Sequence, residues 1–447
     1  MKRILYFVVT ILIAGLTVTM AKEKTGKIFP YDYKKVVLPN GFKAILIPFD
    51  SPGLVSYYTV VRTGSRDEWE EGKSGFAHFF EHMMFRGTEK YPAALRQAKL
   101  TAIGADANAF TTDDFTAYHL GITREDIELV MELEADRFQN LSYPLDMFQT
   151  ESGAVYGEYR KAKSSPFFTL VEAIRKTAFE KHTYGHTTMG FVEDIQRMPE
   201  LFDHSRSFFS RFYRPENSIL LIVGDFDVDK TLAMARKYYG PWQKGYQTPA
   251  ITPEPEQKEE RRIEVPYEGS SLPIVWLAYK NDAFDPGSKR LISLQLLCDL
   301  AFGETSAIHK KLVLDQQLVE FVACENNWNR DPNLVDILAR VKDPSKIDTV
   351  MSELEATIAR FQQEPPAADQ LEALQSRFKY RFLMNLDTPM AVAESIVPFL
   401  AMTARLDSID QAFSTVDAVQ PADVMDAARH YFVPQRRTVA VLKGAQK

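Results

Sequence analysis

Short apolar runs bounded by turn residues follow residue 30 and then give way to helical periodicity. Lys35-Val36-Val37-Leu38 and Phe42-Lys43-Ala44-Ile45-Leu46-Ile47 flank Pro39-Asn40-Gly41, a turn signal that predicts a β-hairpin. A third strand is predicted over 55–62. The pattern then turns helical, returns to strands at 107–111 and 115–121, and becomes helical again from residue 124. Strands and helices in this mixed order predict an α+β fold.

The pattern breaks at 241–262, where three prolines, Pro249, Pro253 and Pro255, precede a charge run without apolar period. This stretch reads as a linker. The two sides of it look like degenerate copies. Phe212-Tyr213-Arg214-Pro215 and the apolar run after it recur at Tyr431-Phe432-Val433-Pro434, 219 residues on, and the same offset carries Val55-Ser56-Tyr57-Tyr58 onto Ile274-Val275-Trp276-Leu277. The chain therefore reads as two homologous α+β domains, at 22–240 and 263–447. A length of 447 residues agrees, since it exceeds one ordinary core.

Residues 1–21 read as a secretory signal: Lys2 and Arg3, an apolar run from Ile4, and small residues ending at Ala21. The run is short for a membrane span, and no cysteine follows it to take a lipid. The mature chain is predicted to be exported, periplasmic or secreted, with no stable membrane span. With 53 basic against 60 acidic residues the net charge is -7, which gives no field for nucleic acid. The two cysteines, Cys298 and Cys324, could pair in an exported protein. Cys298 lies in an apolar helical stretch, however, so two buried free thiols are expected.

One helix carries unusual chemistry. Between Ser74, read as its N-cap, and Gly87, read as its stop, lie Phe76, Ala77, Phe79, Phe80, Met83, Met84 and Phe85, which call for burial on nearly every side. His78, Glu81 and His82 are set among them on one side of the helix. Buried unpaired, they would be costly, whereas two imidazoles one turn apart can both reach one zinc ion with a carboxylate beside it. Shifted by 219, these positions become Leu297, Leu300 and Ala301, so the metal site is predicted in the first copy alone. Glu151 and Glu158, seven apart and facing one way, are candidate carboxylates, and spacing does not choose between them. The other histidines, His119, His182, His186, His204, His309 and His430, read as structural or solvent-exposed.

The stretch from Gly64 to Thr88, with its His-x-x-Glu-His motif, resembles the active segment of the pitrilysin or insulinase metallopeptidases. The likeness continues at Gly104-Ala105-Asp106-Ala107-Asn108-Ala109-Phe110-Thr111, at Tyr184-Gly185, at Tyr213-Arg214-Pro215-Glu216-Asn217, at Val223-Gly224-Asp225 and, more weakly, at Leu386-Asp387-Thr388-Pro389. The resemblance implies a clam-like pair of halves and one zinc ion per chain. It implies His78, His82 and Glu158 as ligands, Glu151 supporting a ligand from outside the coordination sphere, and Glu81 as the base that activates water at the open metal position. It further implies that Asn108, Ala109, Phe110 and Thr111 form an edge strand that pairs with an extended peptide. The expected activity is endopeptidase cleavage of peptides or unfolded segments. The rivals are a non-catalytic assembly or binding subunit, which retention of all four site residues opposes, and a zinc amidohydrolase of another class.

One departure from the family pattern concerns partners. Active relatives carry an Arg and a Tyr in the C-terminal half, and alignment on Gly303, Ser306 and Leu318 puts Val313 and Glu320 at those places. The resemblance therefore implies a heterodimer in which a homologous subunit supplies the Arg and Tyr; the alternative is a monomer or homodimer that uses other donors, such as Lys310, Lys311 or a nearby Tyr.

Overall fold

Successive side chains alternate across a strand, so a run such as Ala44-Ile45-Leu46-Ile47 must be covered on both faces if all four residues are to leave water. All four are buried, and the same holds for Tyr57, Tyr58 and Val60. The computed structural model describes residues 27–444, so the predicted signal at 1–21 lies outside the described residues. In the first half, β1 (Lys34–Val37), β2 (Lys43–Pro48), β3 (Leu54–Val61), β4 (Asp106–Thr111), β5 (Thr116–Thr123) and β6 (Ser218–Gly224) form one sheet in the order β1-β2-β6-β3-β5-β4. The predicted hairpin is β1 and β2, with Lys35 opposite Ile45.

The second half repeats this plan. Its strands are β7 (Arg261–Tyr267), β8 (Ile274–Lys280), β9 (Val319–Asn326), β10 (Leu334–Val341) and β11 (Arg437–Gly444), in the order β7-β11-β8-β10-β9. Each sheet has one parallel pair, β2 with β6 and β7 with β11, and β3, β5 and β6 begin 218–220 residues before β8, β10 and β11. Two α+β domains of one topology are thus present. Between Pro241 and Glu260 the backbone is without helix or strand. Glu254 fixes part of this segment by accepting from the backbone N–H groups of Glu180, Lys181 and His182.

The two faces of the first sheet receive different partners. Ala44, Leu46, Tyr57, Leu120 and Ile222 share a core with Phe76, Phe79, Phe80 and Met83 of the motif helix Phe76–Met83. Ile45, Ile47, Tyr58, Val60 and Leu221 instead meet Val392, Ala393, Ile396 and Leu400 from helix Pro389–Thr403 of the second half. The exchange is mutual. Helix Pro166–Ala178 of the first half lays Leu170 and Ile174 on Trp276, Ala278, Ala440 and Leu442 of the second sheet. Each half covers an apolar face of the other, and the motif helix stands on the face of its sheet that the second half leaves alone. Residues 289–315 have the length and apolarity of a membrane span. Leu291, Leu294, Leu297 and Ala301 nevertheless pack into the second core.

A buried ion cluster holds the C-terminal end of the motif helix. Glu134, on helix Ile127–Asn140, accepts from Arg96 Nη2 at 2.8 Å and from Arg137 Nη2, and the three side chains are 0–3% exposed. Arg137 also donates to the Met84 carbonyl and lies over the rings of Phe85 and Tyr118, so a cation faces the negative end of the helix. Glu134→Ala leaves two guanidinium groups buried without their anion, and the expected loss is about 3–5 kcal/mol of stability. Urea unfolding checks this. A loss below about 1 kcal/mol would show that the arginines find other partners.

Candidate metal centre

The start of the motif helix differs from the sequence expectation. Gly75, not Ser74, occupies the cap position, at φ 94°, where an added Cβ would lie 2.7 Å from the Met189 carbonyl oxygen. Ser74 instead turns away, its hydroxyl donating to Asp194 at 2.6 Å. Two N–H groups at the start of the helix go to Glu68, whose carboxyl accepts from Gly75 N at 2.7 Å and Ala77 N at 2.6 Å. Burial pushes the Glu68 carboxyl well up, and the two N–H bonds, with the positive end of the helix, oppose that shift. Gly87, at φ 87°, lies beyond the helix end in the turn that meets Pro92.

The helix so fixed carries His78, buried, and His82, partly exposed. Helix Leu145–Lys163 crosses it and brings both candidate carboxylates to the same side. Glu158 Oε2 lies 3.2 Å from His82 Nε2 and 3.7 Å from His78 Nε2. The ligand atoms of His78, His82 and Glu158 all fall within 4.8 Å of one another, and among the described residues no other group of three His, Cys, Asp or Glu does so. Glu151 is differently placed: its Oε1 is 3.0 Å from His82 Nδ1, and its Oε2 accepts from Arg86 Nε at 2.5 Å. Geometry thus separates two acids that spacing left equivalent.

The donor set fits a divalent cation. With the Nδ1 proton shared with Glu151, a neutral His82 has its Nε2 free as a ligand 3.2 Å from the Glu158 carboxylate, an arrangement that a cation held by both would complete. Two imidazole nitrogens and one carboxylate oxygen are a zinc set with a position left open. The bond from Glu151, with the surrounding carboxylates, raises the pKa of His82, whereas burial lowers that of His78. Burial pushes the Glu151 carboxyl up, but the His82 and Arg86 bonds outweigh it and hold the group below the usual range.

Glu81 projects beside this group. Its Oε2 accepts from the Thr111 hydroxyl at 2.6 Å, which joins the motif helix to the end of β4. Among the described residues β4 pairs only with β5, Asn108 opposite His119 and Thr111 opposite Thr116, so its other edge is open. Ala109 is buried, and Asn108 and Phe110 are exposed along that strand. Sequence reasoning overlooked three supporting residues, Glu68, Arg86 and the hydroxyl of Thr111. Three of the remaining six histidines take other duties: His119 stacks on Tyr58, His204 sits edge-on to Phe76, and His182 bonds Asp331 of the second half.

Among the described residues the second half has no equivalent group. Leu297 and Ala301 lie in its core and Leu300 packs against it. Val313 packs against the same core, and Glu320 pairs with Arg340 at 3.1 Å.

Comparison with known proteins finds two family profiles along the chain. Residues 52–191 match the family profile described as "Insulinase (Peptidase family M16)", and residues 202–378 match "Peptidase M16 inactive domain". The chain is 26% identical over 435 residues to the zinc protease PqqE of Helicobacter pylori, which covers 96% of each chain. It is 21% identical over 402 residues to YmxG of Bacillus subtilis, named an uncharacterized zinc protease, covering 89% of this chain and 95% of that one. The crystal structure of a protease from Helicobacter pylori superposes with a TM-score of 0.86 at 26% identity, over 92% of this chain and 99% of that one. The first half of the periplasmic protease PqqL from Escherichia coli does so with 0.75 at 17% identity, over 92% of each. With its two repeated halves and both family profiles in sequence order, the chain belongs to the pitrilysin/insulinase family of metallopeptidases, family M16.

Proposed function

We propose that the protein is a zinc-dependent endopeptidase acting on extended peptides or unfolded segments, exported to the periplasm after removal of residues 1–21. The observation that carries the reading is the convergence of His78, His82 and Glu158, with Glu81 alongside and tied to the open edge of β4. His78, His82 and Glu158 hold the metal in this reading. Zinc, when bound, supplies positive charge against a developing oxyanion and makes water more acidic.

The chain's own residues do the rest. The edge of β4 takes the substrate main chain as an added strand, which selects extension over side-chain identity. With Thr111 on Oε2, Glu81 receives the proton of the attacking water at Oε1 and delivers it to the amine that leaves. Glu151 fixes the tautomer and ring orientation of His82, and Arg86 fixes Glu151. Export accords with the N-terminal pattern and with the periplasmic neighbour PqqL. A heterodimer accords with Val313 and Glu320 at the places where the family resemblance implies Arg and Tyr.

The experiment is to measure zinc content and peptide cleavage for the purified chain, Glu158→Gln and Glu151→Gln. Glu158→Gln removes a ligand and is expected to lose zinc readily. Glu151→Gln is expected to lower affinity by about 10-fold to 100-fold, as outer partners of ligands do. Equal retention in the two variants would show that the wrong carboxylate holds the metal. A zinc-loaded wild-type chain that cleaves no extended peptide, alone or with a homologous subunit, would overturn the function itself.

A further inference from the structure

Cys298 and Cys324 come from different elements of the second half. Cys298 is on helix Lys289–Phe302, 1% exposed, within a row of buried residues that includes Leu294, Leu297 and Ala301. Cys324 is on β9, opposite Ile337 of β10. Strand β9 ends its sheet, and among the described residues only β10 pairs with it. The helix lies across the face of this outermost strand, and Cys324 packs against the second core. At that crossing the two Sγ atoms stand 2.7 Å apart. Two thiols that merely touch keep a wider separation, and a bond needs a further approach of only about 0.7 Å. Among the described residues neither cysteine belongs to a group of ligands able to hold a metal.

We propose that Cys298 and Cys324 are a disulfide site that staples the outer strand of the second sheet to its core helix. The bond would close the chain between residues 298 and 324 into a ring that contains the stretch from Gly303 to Phe321. The oxidant is a small-molecule or protein disulfide. One cysteine thiolate attacks a sulfur of that disulfide and expels one thiol. The other cysteine then attacks the mixed disulfide and expels the second thiol. The pair gives up two protons and two electrons, and the oxidant's disulfide becomes two thiols. Formation in the cell rests on the export proposed above, where such oxidants persist. The test does not, because it supplies the oxidant.

The full mature chain is held folded with oxidised glutathione, or with a reductant, then acid-quenched, unfolded, alkylated and digested. After oxidation neither cysteine is expected to take the alkylating agent, and the two peptides run as one species lighter by two hydrogens. After reduction both alkylate. Cys324→Ala is the control, with Cys298 alkylated under reducing conditions and no joined peptide under either. The oxidised wild type is expected to melt about 5–10 °C above the reduced form. The Cys298→Ala, Cys324→Ala double variant should show no such difference. Complete alkylation of both cysteines after oxidation would overturn the proposal, as would a separate glutathione adduct on each.

Discussion

Replacing Glu81 by Gln is expected to lower peptide cleavage by about 100-fold to 10,000-fold while zinc content stays at the wild-type level, since that range is what a positioned general base contributes. Gln has nearly the shape of Glu and its carbonyl oxygen can still accept from the Thr111 hydroxyl, so the link between the motif helix and β4 survives. What it cannot do is take a proton from water. Glu81 also lies outside the group formed by His78, His82 and Glu158, so metal retention separates a missing base from a broken site. The measurement is turnover of an extended peptide at matched metal content. Near-normal turnover would sink the assignment of Glu81, and loss of zinc together with activity would mean that Glu81 is a ligand.

The duplication was legible because its signal is apolar patterning, and the 219-residue offset read from Val55 and Ile274 places β3 over β8. His78, Glu81 and His82 stood out for a related reason: polar residues on an otherwise buried helix demand a partner, and their spacing suits a metal. Spacing alone did not choose between Glu151 and Glu158, since both face one way along a helix, and only the family resemblance favoured Glu158. The choice depends on where helix Leu145–Lys163 crosses the motif helix, which puts one acid on His82 Nδ1 and the other near both Nε2 atoms. Capping failed for a similar reason. Ser74 has the right chemistry at the right place, but a buried carboxyl from Glu68 outcompetes a hydroxyl for two N–H groups, and nothing local announces a residue folding back from seven positions away. The exchange of helices between halves was invisible too, because periodicity shows that a sheet face is buried without showing which element buries it.

That exchange bears on the largest expected effect of a partner. The isolated chain is expected to cleave peptides slowly, and to gain at least about 100-fold when a homologous subunit bearing the Arg and Tyr is added, the usual worth of one oxyanion donor. The positions that the family resemblance marks for these donors hold Val313, which packs against the second core, and Glu320, an ionised acceptor paired with Arg340. Nearby cations are also engaged: Lys310 with Asp315 at 2.6 Å and Lys311 with Glu353 at 2.6 Å. The motif helix packs on the face of its sheet opposite the one that the second half covers. If a partner supplies these donors as proposed, charge that develops on a substrate carbonyl beside Glu81 lacks them in the lone chain. The assay compares turnover by the mature chain alone, with the homologue, and with the homologue after its Arg and Tyr are replaced. Activation by the first partner and not by the second locates the missing donors. Full activity of the lone chain, unchanged by either addition, would rule the heterodimer out and leave the chain to find its donors within itself or in a second copy.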